Sequence, residues 1–169
     1  VCARELESLQ MLSVEAASGG VSFSGKLRDL YRANLWLRSA SRVLVRFADF
    51  RCRAFPDLFK RAQRLPWGRF LRPEMPVQFR VTARASRLGH SGRIAETLEA
   101  AVNQALGRQV SPAGQRVQLV LVRVSDDQVV LSIDSSGELL HRRGYRQTVT
   151  RAPLRETLAA GVLQLLDWD

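Results

Sequence analysis

Three observations in the 169-residue sequence predict an α+β fold. Runs with apolar residues at every second position, which fit a pleated strand, occur beside runs with apolar residues three and four apart, which fit one face of a helix. The two kinds are interleaved without strict β-α-β alternation, and Gly, Pro, Ser or Asp clusters bound almost every run. The order read from them is a short helix, a β-hairpin, then helix, strand, helix, strand, helix, a second hairpin and a closing helix. They group as two small layered units joined near residues 50–56.

A helical piece around Glu5 to Leu12 opens the chain. A hairpin follows, with Gly19-Gly20 as its turn because glycine adopts positive φ without steric cost. Ser24 is the expected N-cap of the next helix, in which Leu27, Leu30, Tyr31, Leu35 and Leu37 form a broad apolar face opposite Arg28, Asp29, Arg32 and Asn34. Val43, Val45 and Phe47 alternate with Leu44, Arg46 and Ala48 as a strand. Pro56 and Asp57 open a helix that continues through Leu58, Phe59, Ala62 and Leu65 and stops before Pro66; Trp67, Phe70 and Leu71 are expected in a small satellite core.

The segment Val77 to Arg84 is the clearest strand, with Val77, Phe79, Val81 and Ala83 on one face and Gln78, Arg80, Thr82 and Arg84 on the other. A polar loop, Ser86 to Arg93, runs into a helix with Ile94, Leu98, Ala101, Val102 and Leu106 as its buried stripe; Ser91 is its expected cap and Gly107 its end. Val117 to Val124 is apolar on both faces and reads as a central strand. Ser125-Asp126-Asp127 turns it back into Gln128 to Ile133. Pro153 starts a last helix whose Leu154, Leu158, Val162, Leu163, Leu165 and Leu166 make an apolar surface wide enough to expect a missing packing partner, a simple core helix being the other reading.

The net charge of +10 is unevenly placed. Residues 1–39 carry 5 basic and 4 acidic side chains, residues 40–92 carry 12 and 3, and residues 93–169 carry 9 and 9, so the excess lies mid-chain. A localised positive excess suits a polyanion, with nucleic acid ahead of an acidic membrane because no basic amphipathic helix stands out. The longest apolar runs fall well short of the roughly 20 residues that span a bilayer, and a soluble protein without membrane partners is expected. Cys2 and Cys52 lack a pairing pattern, so a reducing, cytoplasmic setting is expected. With His90 and His141 they are too scattered for a metal site. No glycine-rich phosphate loop, nucleophile elbow or paired carboxylates occur, so no catalytic residue is assigned.

Two places gather phosphate chemistry. Arg80 and Arg84 share an exposed strand face, and Arg87, His90 and Arg93 surround a helix start whose free N–H groups and dipole favour anions. After the last strand, Ser135-Ser136-Gly137 leads to His141, Arg142, Arg143, Tyr145 and Arg146: forked guanidiniums for phosphate and a ring on which a base can stack. Binding surface and solvated basic loop both remain open at this point.

The runs Gly20-Val-Ser-Phe, Tyr31-Arg-Ala-Asn-Leu-Trp-Leu-Arg-Ser-Ala-Ser-Arg42, Leu65-Pro-Trp67, Ser86-Arg-Leu-Gly-His-Ser-Gly92, Asp134-Ser-Ser-Gly-Glu-Leu-Leu-His-Arg-Arg-Gly-Tyr-Arg146 and Ala152-Pro-Leu-Arg-Glu-Thr-Leu-Ala-Ala160 occur in that order over nearly the whole chain. In these the sequence resembles the N-terminal part of the THUMP-containing methyltransferases that modify guanine N2 in large-subunit (23S) ribosomal RNA. The resemblance implies a ferredoxin-like unit (residues 1–52), a THUMP RNA-binding domain (53–150), and a linker with the first helix of a methyltransferase domain (151–169). It implies that S-adenosylmethionine serves that further domain, with no cofactor in this chain: the acidic-Pro-x-Cys-Gly-Ser-Gly loop and the Asn-Pro-Pro-aromatic motif are both absent from the sequence. The stretch Arg4 to Ser18 is shorter than the family's strand, helix and strand, and Gly89 stands where relatives often carry an aromatic.

The implied function is RNA binding that positions folded large-subunit rRNA for a methyltransferase domain in cis, through Arg80, Arg84, Arg87, His90, Arg93, Arg142, Arg143, Tyr145 and Arg146. The alternative is a protein-interaction or interdomain scaffold of a methyltransferase acting on tRNA or on DNA adenine. In either case His141 to Arg146 resembles the hinge to the methyltransferase domain, which gives its arginines a second job in holding that angle.

Overall fold

The computed structural model describes residues 1–73, 75–110, 117–144 and 153–168. In chain order the elements are α1 (Cys2–Ser8), β1 (Leu12–Ala17), β2 (Gly20–Ser24), α2 (Leu27–Trp36), β3 (Leu44–Arg51), α3 (Phe55–Gln63), a 3₁₀ turn at Trp67–Arg69, β4 (Val77–Arg84), α4 (Ser91–Leu106), β5 (Gln118–Ser125), β6 (Gln128–Asp134) and α5 (Glu156–Leu165). The α+β class and the element order agree with the sequence reading. Two compact units result: Val1–Val43 with Glu138–Asp169, and Leu44–Gly137.

In the first unit, β1 and β2 form an antiparallel hairpin. Its turn is Ser18-Gly19 rather than Gly19-Gly20: Gly19 takes the positive φ of 87°, while Gly20 already pairs with Ala17. Leu6, Met11, Ala33, Leu37 and Val43 are the buried core. Ser24 does not cap α2. Lys26 is the N-cap, and its backbone N–H donates to the Asp29 carboxylate at 2.8 Å. The broad apolar face expected of α2 also divides differently: Ala33 is buried, Leu30 is half-buried, and Leu27, Tyr31, Leu35 and Trp36 are exposed. A helix with so short a hairpin to pack on covers only part of its apolar side.

Glu5 is the polar centre of this unit. It accepts the backbone N–H of Arg38 at 3.1 Å and of Ser39 at 3.0 Å, the Ser39 hydroxyl, and the Gln164 side-chain amide at 2.6 Å. Burial alone would push its pKa up, but these donors favour the carboxylate more and hold it below its ordinary value. The carboxylate thereby ties α1 to the end of α2 and to α5.

The second unit is a four-stranded sheet in the order β3-β6-β5-β4, antiparallel except for the parallel β4–β5 pair that α4 connects. β5 is central, as its two apolar faces require. β3 belongs to this sheet through its pairing with β6, whereas a boundary at residue 52 would put it in the first unit. Its simple alternation fails at a bulge between Arg46 and Ala48. Beyond the bulge Ala48 and Cys52 are buried and Phe50 half-buried, while Asp49 and Arg51 face out.

α3 and α4 cover one sheet face, contributing Leu58, Ala62, Ile94, Leu98, Ala101 and Val102 to the core. Trp67 is no satellite. It is 1% exposed, donates Nε1–H to the Ala62 carbonyl at 2.6 Å, and meets Phe47 and Phe79 edge-on at 5.1 and 6.2 Å between centroids. Gly107 ends α4 in the left-handed region at φ 63°, as expected of a C-terminal glycine.

Candidate nucleic-acid interface

Because both helices of the second unit lie on one side of the sheet, its other face carries no helix among the described residues, and exposed polar side chains surround an apolar strip of Leu119, Leu121 and Val130 there. β4 is an edge strand and presents Gln78, Arg80, Thr82 and Arg84, all exposed. The register sets Thr82 opposite Arg123 of β5 and Arg84 opposite Ser125. Arg123 in turn faces Val130 of β6, which faces Asp49 of β3, and Arg46 and Arg51 flank that position. Arg46, Arg51, Arg80, Arg84 and Arg123 therefore share one face, with Asp49 partly offsetting Arg46 at 4.0 Å. Sequence reading found Arg80 and Arg84 only. Arg123 carried a signal, as the exposed position between buried Val122 and Val124, and so did Arg46, which alternation sets opposite Val45 and Phe47; Arg51 was hidden by the bulge that resets its parity.

At the C-terminal end of β4 the chain turns through Ala85, at φ 46°, into the loop of Arg87 and His90. Asp127, in the β5–β6 turn at φ 63°, holds this loop. Its carboxylate accepts the Ser86 hydroxyl at 3.1 Å, the Arg87 backbone N–H at 3.0 Å and Arg53 Nε at 2.9 Å, while its carbonyl accepts the Cys52 N–H at 2.8 Å. The bond from the Arg87 N–H leads the effects that hold its pKa below the ordinary carboxylate value, outweighing desolvation, with Ser86 and Arg53 adding to it. A turn aspartate is usually solvated; this one instead fixes the loop backbone and leaves the Arg87 side chain exposed.

Ser91 is the first helical residue of α4, not its cap. His90 occupies the N-cap position, exposed, with no side-chain cap bond. Among the described residues no side chain caps the first-turn N–H groups, and such a helix start attracts anions. Arg93 lies over the Phe55 ring at 4.3 Å, so packing as well as charge places it.

Arg142 and Arg143 fall in the other unit. Arg142 is exposed. Arg143 donates Nε to the Leu140 carbonyl at 2.9 Å, Nη2 to the carbonyls of Asn34 at 2.9 Å and Leu37 at 2.8 Å, and Nη1 to that of Leu35. Its guanidinium closes the C-terminal end of α2, where orphan carbonyls attract a cation. His141 is half-buried and its Nδ1 is buried without a hydrogen-bond partner. Tyr145 and Arg146 lie outside the described residues.

Among the described residues there is no cluster of His, Cys, Asp or Glu that could hold a metal, and no helix long and apolar enough to cross a membrane. Burial pushes both the Cys2 and Cys52 thiols up, which keeps them in the thiol form.

The architecture is of a definite class: a small ferredoxin-like unit followed by a THUMP-type unit with helices on one side of a mixed sheet. Residues 1–44 match the RlmL ferredoxin-like domain. Over 98% of its length the chain is 36% identical to the ribosomal RNA large subunit methyltransferase K/L of Methylococcus capsulatus, of which it covers 23%. Among solved structures, a predicted N6-adenine-specific DNA methylase from Listeria monocytogenes superposes with a TM-score of 0.86 at 31% identity, over 99% of this chain and 45% of that one. SMU.472, solved in complex with SAH, gives a TM-score of 0.80 at 30% identity, over 98% and 45%. The chain thus spans less than half the length of these relatives. It is similar to the N-terminal, THUMP-containing region of the large-subunit rRNA methyltransferases.

Proposed function

We propose that this chain is the RNA-binding part of a cytoplasmic, S-adenosylmethionine-dependent methyltransferase acting on guanine N2 of large-subunit rRNA, and that it positions folded RNA for a catalytic domain in cis. The observation that carries the reading is the arginine-bearing open sheet face that continues into the clamped Arg87 loop and the uncapped start of α4. Such a surface matches the spaced phosphates of a folded RNA and reads charge and shape rather than base sequence. No residue of this chain is assigned to methyl transfer or to the cofactor. Arg80, Arg84, Arg87, His90 and Arg93, with the added Arg123, would contact phosphate; Arg142 contributes from the other unit.

Filter binding of an rRNA fragment across a salt series tests this. Binding that weakens steeply with salt is expected, because each neutralised phosphate releases counterions, and a slope near zero sinks the reading. Running tRNA and duplex DNA as competitors separates rRNA from the alternative substrate classes.

The second reading, an interdomain or protein-interaction scaffold, is favoured by the exposed apolar side of α5, where Leu158, Val162, Leu163, Leu165 and Leu166 face out. A scaffold keeps its RNA affinity when Arg84 and Arg87 are reversed to Glu; an RNA-binding part loses it.

A further inference from the structure

The first unit contains a cavity of 520 Å³ between α1, the end of α2, the turn at residues 140–143 and α5. That volume lies inside the range of roughly 300–1,000 Å³ typical of small-ligand sites. Leu9 and Leu35 give it an apolar wall, and Trp36, 65% exposed, stands beside them. The polar groups around it are not equally available. Glu5 has both carboxylate oxygens bonded, and Arg143 is committed to the carbonyls at the end of α2. Arg38 is different: its side chain is 74% exposed and its contact to Glu5 is a loose 3.8 Å.

The chemistry left open in this cavity is therefore an exposed indole and a solvent-facing guanidinium over an apolar wall, with the unpartnered Nδ1 of His141 and the Glu156 carboxylate also in its lining. That combination takes a planar aromatic group joined to an anion. A nucleotide is such a group: its base stacks on the indole in a sequence-tolerant way, and its phosphate meets Arg38. A hydrocarbon chain or an apolar peptide would use the wall and leave the guanidinium without a counterpart.

We infer that this cavity holds one unpaired nucleotide of the bound RNA, stacked on Trp36 with its phosphate at Arg38. The inference rests on the RNA-binding reading above and adds to it a single-strand contact in the first unit, separate from the charge-reading sheet face of the second.

The test uses the full chain with Trp168→Phe, so that Trp36 and the buried Trp67 are the remaining tryptophans. Tryptophan fluorescence is followed on addition of GMP, AMP, a blunt RNA hairpin, and the same hairpin with a four-nucleotide 3′ overhang. Saturable quenching by both mononucleotides is expected, as is tighter binding of the overhang hairpin than of the blunt one. Trp36→Ala should weaken overhang binding roughly 5- to 150-fold, the usual cost of losing a stacking ring. Trp36→Phe should retain most of it, and Arg38→Gln should steepen the loss for GMP relative to guanosine. Equal binding of overhang and blunt hairpins with Trp36 fluorescence unmoved overturns the inference while leaving salt-dependent RNA binding intact. Loss of binding to both hairpins in the parent protein overturns the RNA reading with it. Quenching by an apolar peptide but not by mononucleotides also overturns it.

Discussion

Asp127, at the tip of the β5–β6 turn, accepts the backbone N–H of Arg87 at 3.0 Å across a separation of 40 residues. The loop that would present Arg87 to phosphate is thus held by a carboxylate from the neighbouring hairpin, which leaves the guanidinium free to act outward. Asp127→Asn keeps the shape, loses the charge, and leaves a weaker acceptor for three donors. Faster hydrogen exchange at the Arg87 amide and weaker rRNA binding are expected, with the salt slope nearly unchanged because no phosphate contact is removed. An unchanged exchange rate would show that the clamp does not hold the loop.

Acid should release the same clamp. The folded-state pKa of Asp127 lies below its ordinary value of 3.8, so its contribution to stability is fully present above that value and is lost as pH falls through the folded pKa. The Arg87 amide should therefore stay protected at pH 5 and lose protection as the pH falls below 3.8, whereas Asp127→Asn, with no carboxylate to protonate, should exchange faster at pH 5 and lack this acid transition.

Glu5 predicts a comparable pH dependence for the first unit. Its pKa is lowered from 4.5, and the stability it confers is present above that pH and disappears as acid protonates it. Glu5→Gln keeps one acceptor and turns the other into a donor facing donors. A loss of about 1.5–3 kcal/mol is expected from urea unfolding near neutral pH, the range for hydrogen bonds to a charged group. The difference from the parent should shrink toward low pH.

Trp67 sets the packing of the second unit. Trp67→Ala removes a buried indole, its edge contacts to Phe47 and Phe79, and the donor to the Ala62 carbonyl. A cost of about 3–5 kcal/mol is expected in urea unfolding, and Trp67→Phe should cost less, since the Ala62 carbonyl keeps the Leu65 N–H as a donor.

Arg143 and Arg123 separate structural from electrostatic arginines. Arg143→Ala should lower stability by about 1–2 kcal/mol, since its guanidinium closes the end of α2, and should leave the salt slope for rRNA unchanged. Arg123→Ala should do the reverse, with stability within about 0.5 kcal/mol and a slope reduced by about 1. Equal slopes for the two variants would remove the sheet face from the interface.

Much of this protein was determined locally. Period-two alternation placed β4 with Arg80 and Arg84 outward, two apolar faces placed β5 in the middle of a sheet, and Gly107 ended α4 because glycine accepts φ of 63°. The mid-chain charge excess and the ordered family-like runs pointed to the RNA methyltransferase relatives. Tertiary structure decided what depends on partners far away in the chain. A bulge in β3 re-aimed Asp49 and Arg51, a residue 40 positions away turned Asp127 from a solvated turn acid into a clamp, and the end of α2 claimed Arg143 for its carbonyls. The reason is physical: periodicity records which face of its own element a residue occupies, whereas the hydrogen-bond partner of a charged side chain is fixed only when a second element arrives beside it.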